Sequence, residues 1–412
     1  MVQGARTHWG FKGAVWMGIL SSLLLFLGFN LNAWRVVDPC LFEQRSQVDS
    51  PVVGRIAESR RQGIFSSGGL LEWRSPGTYR PYRSQVGGQG ILFSCLDRVM
   101  PFSPQATLRF FRALTAFLSS LVLTFIILWF FRMFGSWVAL VTLSSLVLSP
   151  CLVLFGDSLY WCLWAFYLPM LVVMYDLQSD RTPTRRRAWV FASLVFLTIL
   201  VKCLINGYEY VTTALLMMMV PAVFYAVLGR WRASAVLQYG FLAVIASGLA
   251  ILLTLGVLCV QIAAVDGTFL AGVGHILSCL GRRAYGDPSR YPSIAASLSA
   301  SPLQVMAMYL KGTFLESPFV RYDHLIAVFG AASVYLCWAT RRDPVEDRRR
   351  SIRALIFTTW FSILAPLSWF VVFKAHAFLH PFFDFIVWQM PFTLYGFALC
   401  GIASQYAWRG IR

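Results

Sequence analysis

Charge is scarce in this sequence. Of its 412 residues, 13% are Asp, Glu, Lys or Arg, against roughly 25% in an ordinary soluble domain. Lysine is scarcer still: only residues 12, 202, 311 and 374 are Lys, among 35 cationic residues. No CxxC pair and no His/Cys metal spacing occurs, so no zinc or dithiol motif can be read. No internal repeat is evident.

What is abundant is apolar. Such residues make up 58% of the chain, and mean hydropathy is +0.65. They arrive in blocks of the roughly 20 residues that cross a bilayer as a helix. The blocks are 14–33, 110–131, 137–155, 159–175, 188–205, 211–228, 235–265, 325–339, 355–373 and 385–403. The sequence predicts an all-α polytopic integral membrane protein of about ten transmembrane helices, residues 1–412 forming one transmembrane domain. Block 14–33 exceeds the ~7–15 residues of a signal-peptide core. The Asn32-Ala33-Trp34 stretch after it is a poor cleavage site. It reads as a retained first span. Block 235–265 is long enough to tilt or project.

Net charge is +17. In a soluble protein that would suggest nucleic acid. Here the distribution decides. If the N-terminus is inside, the short inner connections hold Arg132, Arg181, Arg185–Arg187, Arg230, Arg232, Arg341, Arg342, Arg348–Arg350 and Arg353. The tail adds Arg409 and Arg412, and the short outer turns hold only Lys202 and Lys374. The positive-inside rule then predicts both termini in the cytoplasm and no role for nucleic acid.

Two outer connections are long. Loop one covers residues 35–109 and loop two residues 266–324. Long loops are usually functional or disordered, and the aromatic and Gly-rich content of loop one predicts order. Ser50-Pro51 reads as an N-cap and first helical residue. They open a short helix over 51–60 that Gly63 ends, expected to lie on the outer membrane surface. A second amphipathic stretch covers 302–315. Six of the nine cysteines fall in or beside spans. Cys40, Cys95 and Cys279 fall in the outer loops, where Cys40 and Cys95 could pair.

Within the apolar blocks the only ionisable Asp, Glu, Lys, Arg or His residues are Arg112 and Lys202, both near outer span ends. Ion-coupled transporters place such groups at mid-membrane, so that class is disfavoured. Polar side chains gather instead in the outer turns. Asp157 lies between blocks three and four. Lys202, Tyr208, Glu209 and Tyr210 lie between blocks five and six, and Lys374, His376 and His380 between blocks nine and ten. A compact ammonium suits a phosphate, and Lys202 and Lys374 are expected to face each other across an outer cavity; snorkelling at span ends is the plain alternative. Glu209 between two tyrosines can bond a sugar or simply sit in an aromatic belt. His376 and His380 have a helical metal spacing, but Pro381 follows and no Glu lies between them, so no metal site is assigned.

An outer-face site beside a surface helix suits a substrate that is part lipid and part water-soluble, such as a polyprenyl-phosphate sugar. Glycosyl transfer needs a carboxylate to take the acceptor proton and cations to stabilise the departing phosphate. Asp49 can serve as the base or be only a helix-start residue. Arg55, Lys202, Lys374 and His376 can meet phosphate. The segment Gln47-Val48-Asp49-Ser50-Pro51-Val52-Val53-Gly54-Arg55-Ile56-Ala57-Glu58, after a first span and before many others, resembles the GT-C superfamily of membrane glycosyltransferases. That resemblance implies that Asp49 is the base and that the donor is a polyprenyl-phosphate sugar in a bacterial inner (plasma) membrane. The family often pairs acidic residues here, whereas Asp49 stands alone, so no cofactor is assigned and a divalent metal ion stays open. The partners expected are the lipid-linked donor and membrane lipid; the oligomeric state is unspecified. A lipid-linked glycan polymerase or ligase, and a flippase that is not ion-coupled, are the alternatives.

Overall fold

The computed structural model describes residues 10–75, 78–179, 184–314 and 320–411. Arg6, Arg181, Leu315 and Arg412 lie outside them. Among the described residues the chain is a bundle of apolar helices, seven of them long and apolar enough to cross a membrane. An eighth arises if the bent pair Pro381–Gln389 and Phe392–Trp408 forms one span. It is thus an all-α polytopic membrane protein.

Helix α1 (Phe11–Leu31) ends where Asn32 turns left-handed at φ 48°. Asparagine tolerates that conformation. Its side chain donates to the Val37 carbonyl and accepts from the Val36 and Val37 amides, steering the chain into loop one. Asp38 caps α2 (Pro39–Gln44) by accepting from the amides of Cys40 and Leu41.

Helix α3 (Ser50–Gln62) starts one residue earlier than the sequence predicts. Its N-cap position is Asp49, whose side chain makes no cap bond. Gly63 ends it at φ 104°. A hairpin of β1 (Leu71–Ser75) and β2 (Thr78–Tyr82), unforeseen in the sequence, lies against it. A Cβ at Gly54 would stand 2.1 Å from the Glu72 carbonyl oxygen, so only glycine lets β1 approach this closely. Arg60 clamps Asp97 of α4 (Gly88–Val99) with bonds of 2.7 and 2.5 Å. The apolar face of α3 thus packs on protein, with Val52 and Ile56 against Leu71, Phe93 and Phe111. Its Val52, Arg55, Ile56 and Glu58 are buried.

The bundle continues with α5 (Pro104–Phe134), which packs on α1 and α8 (Leu163–Ser179). Between them, α6 (Ser136–Val147) breaks at Ser149-Pro150 into α7 (Pro150–Phe155). Proline offers no amide to continue the helix, and the Ser149 hydroxyl caps the new start. Helices α9 (Arg185–Asn206), α10 (Val211–Gly229) and α11 (Ala233–Asp266) follow. At 34 residues, α11 is about 50 Å long and overshoots the bundle. Arg83 and the Val86 carbonyl of loop one dock on its end, through Asp266 and Gln261.

Loop two is helical too: α12 (Phe269–Arg283), α13 (Ala295–Ser299) and α14 (Pro302–Leu310), the last opened by a Ser301–Gln304 capping box. Helix α15 (Tyr322–Ala339) returns, α16 (Glu346–Ser362) and α17 (Leu364–Val372) run on with little break, and the short α18 (Lys374–Leu379) and α19 (Pro381–Asp384) lead to α20 (Phe392–Ile411). Aromatic packing fills the centre: the Trp129 indole donates to the Tyr225 hydroxyl at 2.7 Å. Loops one and two, the 156–162 and 207–210 turns, α18 and α19 all gather at one end, called here the loop-rich end. Cys40 and Cys95 are free, exposed thiols rather than a disulfide.

Candidate functional site

A cavity of about 850 Å³ opens at the loop-rich end. Its walls come from loop one, the 156–162 turn, the 207–210 turn, α12 and α18–α19.

Glu209 is placed by the segment 202–210. The Lys202 ammonium donates to the carbonyls of Gly207 and Glu209 at 2.8 and 2.7 Å. Asn206 bonds both backbone groups of Cys162. At Gly207, with φ +56°, a Cβ would strike the Gln85 side chain at 2.3 Å. These contacts fold the turn so that the Glu209 carboxylate enters the cavity. Its Oε1 accepts from Arg283 at 2.8 Å; its Oε2 has no hydrogen bond and stands 3.7 Å from His376 Nε2. Burial opposes the Glu209 charge, but Arg283 and then His376 more than offset it, so its carboxyl titrates below the ordinary range.

The second segment is 374–384. The Lys374 ammonium holds the Leu298 and Ala300 carbonyls at 2.5 and 2.6 Å. His380-Pro381 breaks the helix, which lets Asp384 fold back on His376. The Asp384 carboxylate takes the His376 Nδ1 side at 3.3 Å, the Trp369 indole N–H at 2.9 Å and the Tyr210 hydroxyl at 3.0 Å. The His380 ring lies beside that of His376, tilted to it, their centroids 4.8 Å apart.

An aromatic wall faces these groups. Trp73, Tyr82, Tyr160 and Trp161 follow one another at centroid separations of 5.2–6.1 Å, and the Tyr160 hydroxyl donates to that of Tyr82. Arg282 and Tyr291 of loop two complete the rim.

Of the residues proposed from sequence, Glu209, His376 and His380 line the cavity. The others stand elsewhere. Asp49 is 1% exposed. Its Oδ1 accepts from the Ser158 hydroxyl and the Leu159 and Tyr160 amides, and its Oδ2 from Arg112. Both of its oxygens are committed to these bonds, and it does not line the cavity. Burial, ahead of the lowering effect of Arg112, pushes its carboxyl up to about 6. Asp157 is likewise buried, in a two-pronged pair with Arg45. Arg55 sits wholly inside loop one on Ser66 and Glu72, so it meets no phosphate. Lys202 and Lys374 hold backbone carbonyls and do not face each other across the cavity. Tyr208 turns to Thr254 and Tyr210 to Asp384.

Sequence reasoning passed over Arg282, Arg283 and the role of Asp384. The arginines carried little signal, because loop one holds a tandem pair too, Arg60-Arg61, and the charge bias is counted on short connections alone. Among the described residues, no group of three or more His, Cys, Asp and Glu side chains could hold a metal ion. No family model, curated protein or solved structure matches the chain.

Proposed function

We propose that this protein is a membrane glycosyltransferase that moves a sugar from a polyprenyl-phosphate donor to an acceptor at the extracytoplasmic face. One observation carries the reading: the cavity pairs a carboxylate with an unbonded oxygen, two imidazoles and a guanidinium with a wall of aromatic rings, at the end of an apolar bundle. The rings suit the apolar faces of a sugar. Arg282 and the histidines suit a single phosphate, the guanidinium through paired N–H groups. Glu209 Oε2 is the group able to take the acceptor proton. Asp49 serves instead as the anchor that fixes the backbone of Leu159 and Tyr160, and with it the aromatic wall.

The topology follows the same logic. The ends opposite the cavity hold Arg132, Arg185–Arg187, Arg230, Arg232 and Arg341–Arg353, so they belong in the cytoplasm. Counting α8, of 17 residues, and the broken α6–α7 as crossings gives ten spans, with both termini on the cytoplasmic side of a bacterial inner membrane.

The test is transfer in proteoliposomes supplied with a panel of short-chain prenyl-phosphate sugars and simple glycan acceptors. Release of prenyl phosphate with a new glycosidic bond is expected. Movement of intact donor between leaflets without bond formation would overturn the reading in favour of a flippase.

A further inference from the structure

We propose that His376, held in place by Asp384, is a second proton-transfer group of this site: it protonates the departing phosphate and is recharged by Glu209. The proposal rests on the transferase reading above.

The geometry is built for a fixed imidazole. Asp384 is fully buried, and a buried carboxylate is costly unless it is bonded. Three groups from three elements bond it: Trp369 of α17, Tyr210 at the start of α10 and His376 of α18. The Trp369 ring meets both neighbours edge-on, Tyr210 at 5.0 Å and His376 at 5.5 Å. With Nδ1 tied to Asp384, the other ring nitrogen is committed to the cavity, where it stands 3.7 Å from the unbonded oxygen of Glu209. An acid and a base with opposed environments, side by side, is the usual signature of a proton-transfer pair.

The charged and titratable groups around His376 are Glu209 from the 207–210 turn, Arg283 from α12, Asp384 from α19, and His380 from its own helix. Burial lowers the tendency of His376 to be charged, but Glu209 and Asp384 outweigh it and keep the ring protonated above the ordinary histidine range. His380 moves the other way, through burial and then the neighbouring His376 charge. The two imidazoles are therefore pushed in opposite directions.

The step balances within the site. The acceptor oxygen bonds to the sugar C1 while the C1–O bond to phosphate breaks, and that electron pair stays on the phosphate oxygen. Glu209 takes the acceptor proton and His376 Nε2 gives one to the phosphate. Glu209 then returns its proton to His376 across the short gap between them. The net result moves the acceptor proton onto the lipid phosphate, with no outside reactant.

The experiment is a ring-labelled histidine titration of the purified protein by NMR. Five histidines make assignment by single His→Gln replacement practical. His376 is expected to titrate above 6.5, and both Asp384→Asn and Glu209→Gln are expected to move it down. Asn at 384 keeps one acceptor for Tyr210 or Trp369, and Glu209→Gln leaves Asp384 untouched, so misfolding of one variant leaves the other to decide. A His376 titration at or below 6.5, or one unmoved by both changes, would overturn the dyad. With a donor in hand, His376→Gln should lower kcat by about 10²–10⁴ with KM little changed; unchanged kcat would remove His376 from the reaction. Wild-type protein that turns over no donor would refute the transferase reading and this role within it, while the titration would still judge the Asp384–His376 contact.

Discussion

Glu209 gives one carboxylate oxygen to Arg283 at 2.8 Å and turns the other, free of hydrogen bonds, towards His376 at 3.7 Å. The two partners come from loop two and from the α17–α20 connection, some 70 and 170 positions along the chain from Glu209. One side chain thus joins three separate turns. The remaining charges at this end divide into those that build the cavity and those that face it, and the predictions below separate the two groups.

Lys202 and Lys374 belong to the builders. Each holds two backbone carbonyls inside the protein, and leaving a buried acceptor unpaired costs about 1–3 kcal/mol. Lys202→Met and Lys374→Met should lower thermal stability in detergent. Arg282→Ala, at an exposed position on the rim, should leave stability unchanged and raise the donor KM about tenfold. Unchanged melting for both lysine variants would return them to snorkelling.

Asp49 is expected to leave a mark on the pH dependence of stability. Its carboxyl is raised from 3.8 to about 6 in the folded protein, so between those values the folded state binds the proton more tightly than the unfolded one. Stability contributed at low pH is therefore lost as pH rises through 6, on the order of 3 kcal/mol in all. In Asp49→Asn this component should vanish. The check is the difference in melting temperature between wild type and variant from pH 4 to 7; a flat difference would contradict the burial of this group.

Gly54 tests the seat of the hairpin. The methyl group of Gly54→Ala would meet the Glu72 backbone, which has little room to yield, and overpacking of this kind costs about 1–3 kcal/mol. Faster hydrogen exchange across residues 50–82 is expected, with the spans unaffected. Wild-type exchange there would mean that β1 does not sit on α3.

Orientation can be read with native thiols. Cys40 and Cys95 are exposed at the loop-rich end, so an impermeant maleimide should label them in intact cells. Cysteines introduced at Ser234 or Asp347, in a background lacking these two and Cys279, should stay unlabelled. The reverse pattern would invert the topology.

Most of the bundle was legible because bilayer-length apolar blocks are a one-dimensional signal. The site was legible only in part. Glu209, His376 and His380 stood out as charges in short turns. Asp49 stood out equally, yet its contacts with Arg112, Ser158 and the 159–160 amides depend on long-range packing that no local pattern encodes. The same holds for Lys202: an ammonium bonded to carbonyls five and seven residues onward reads, in sequence, like one aimed at a ligand. The hairpin was missed because two five-residue strands with mixed exposure carry little periodicity.

The most direct test of the central claim is the rate of sugar transfer by Glu209→Gln. Glutamine can still accept from Arg283, so the turn should hold and the donor should bind, but no carboxylate remains to take the acceptor proton. Transfer is expected to fall by about 10²–10⁴ with donor affinity within a few-fold of wild type. Transfer at a near wild-type rate in a well-folded Glu209→Gln protein would contradict the account and send the search for the base back to Asp49.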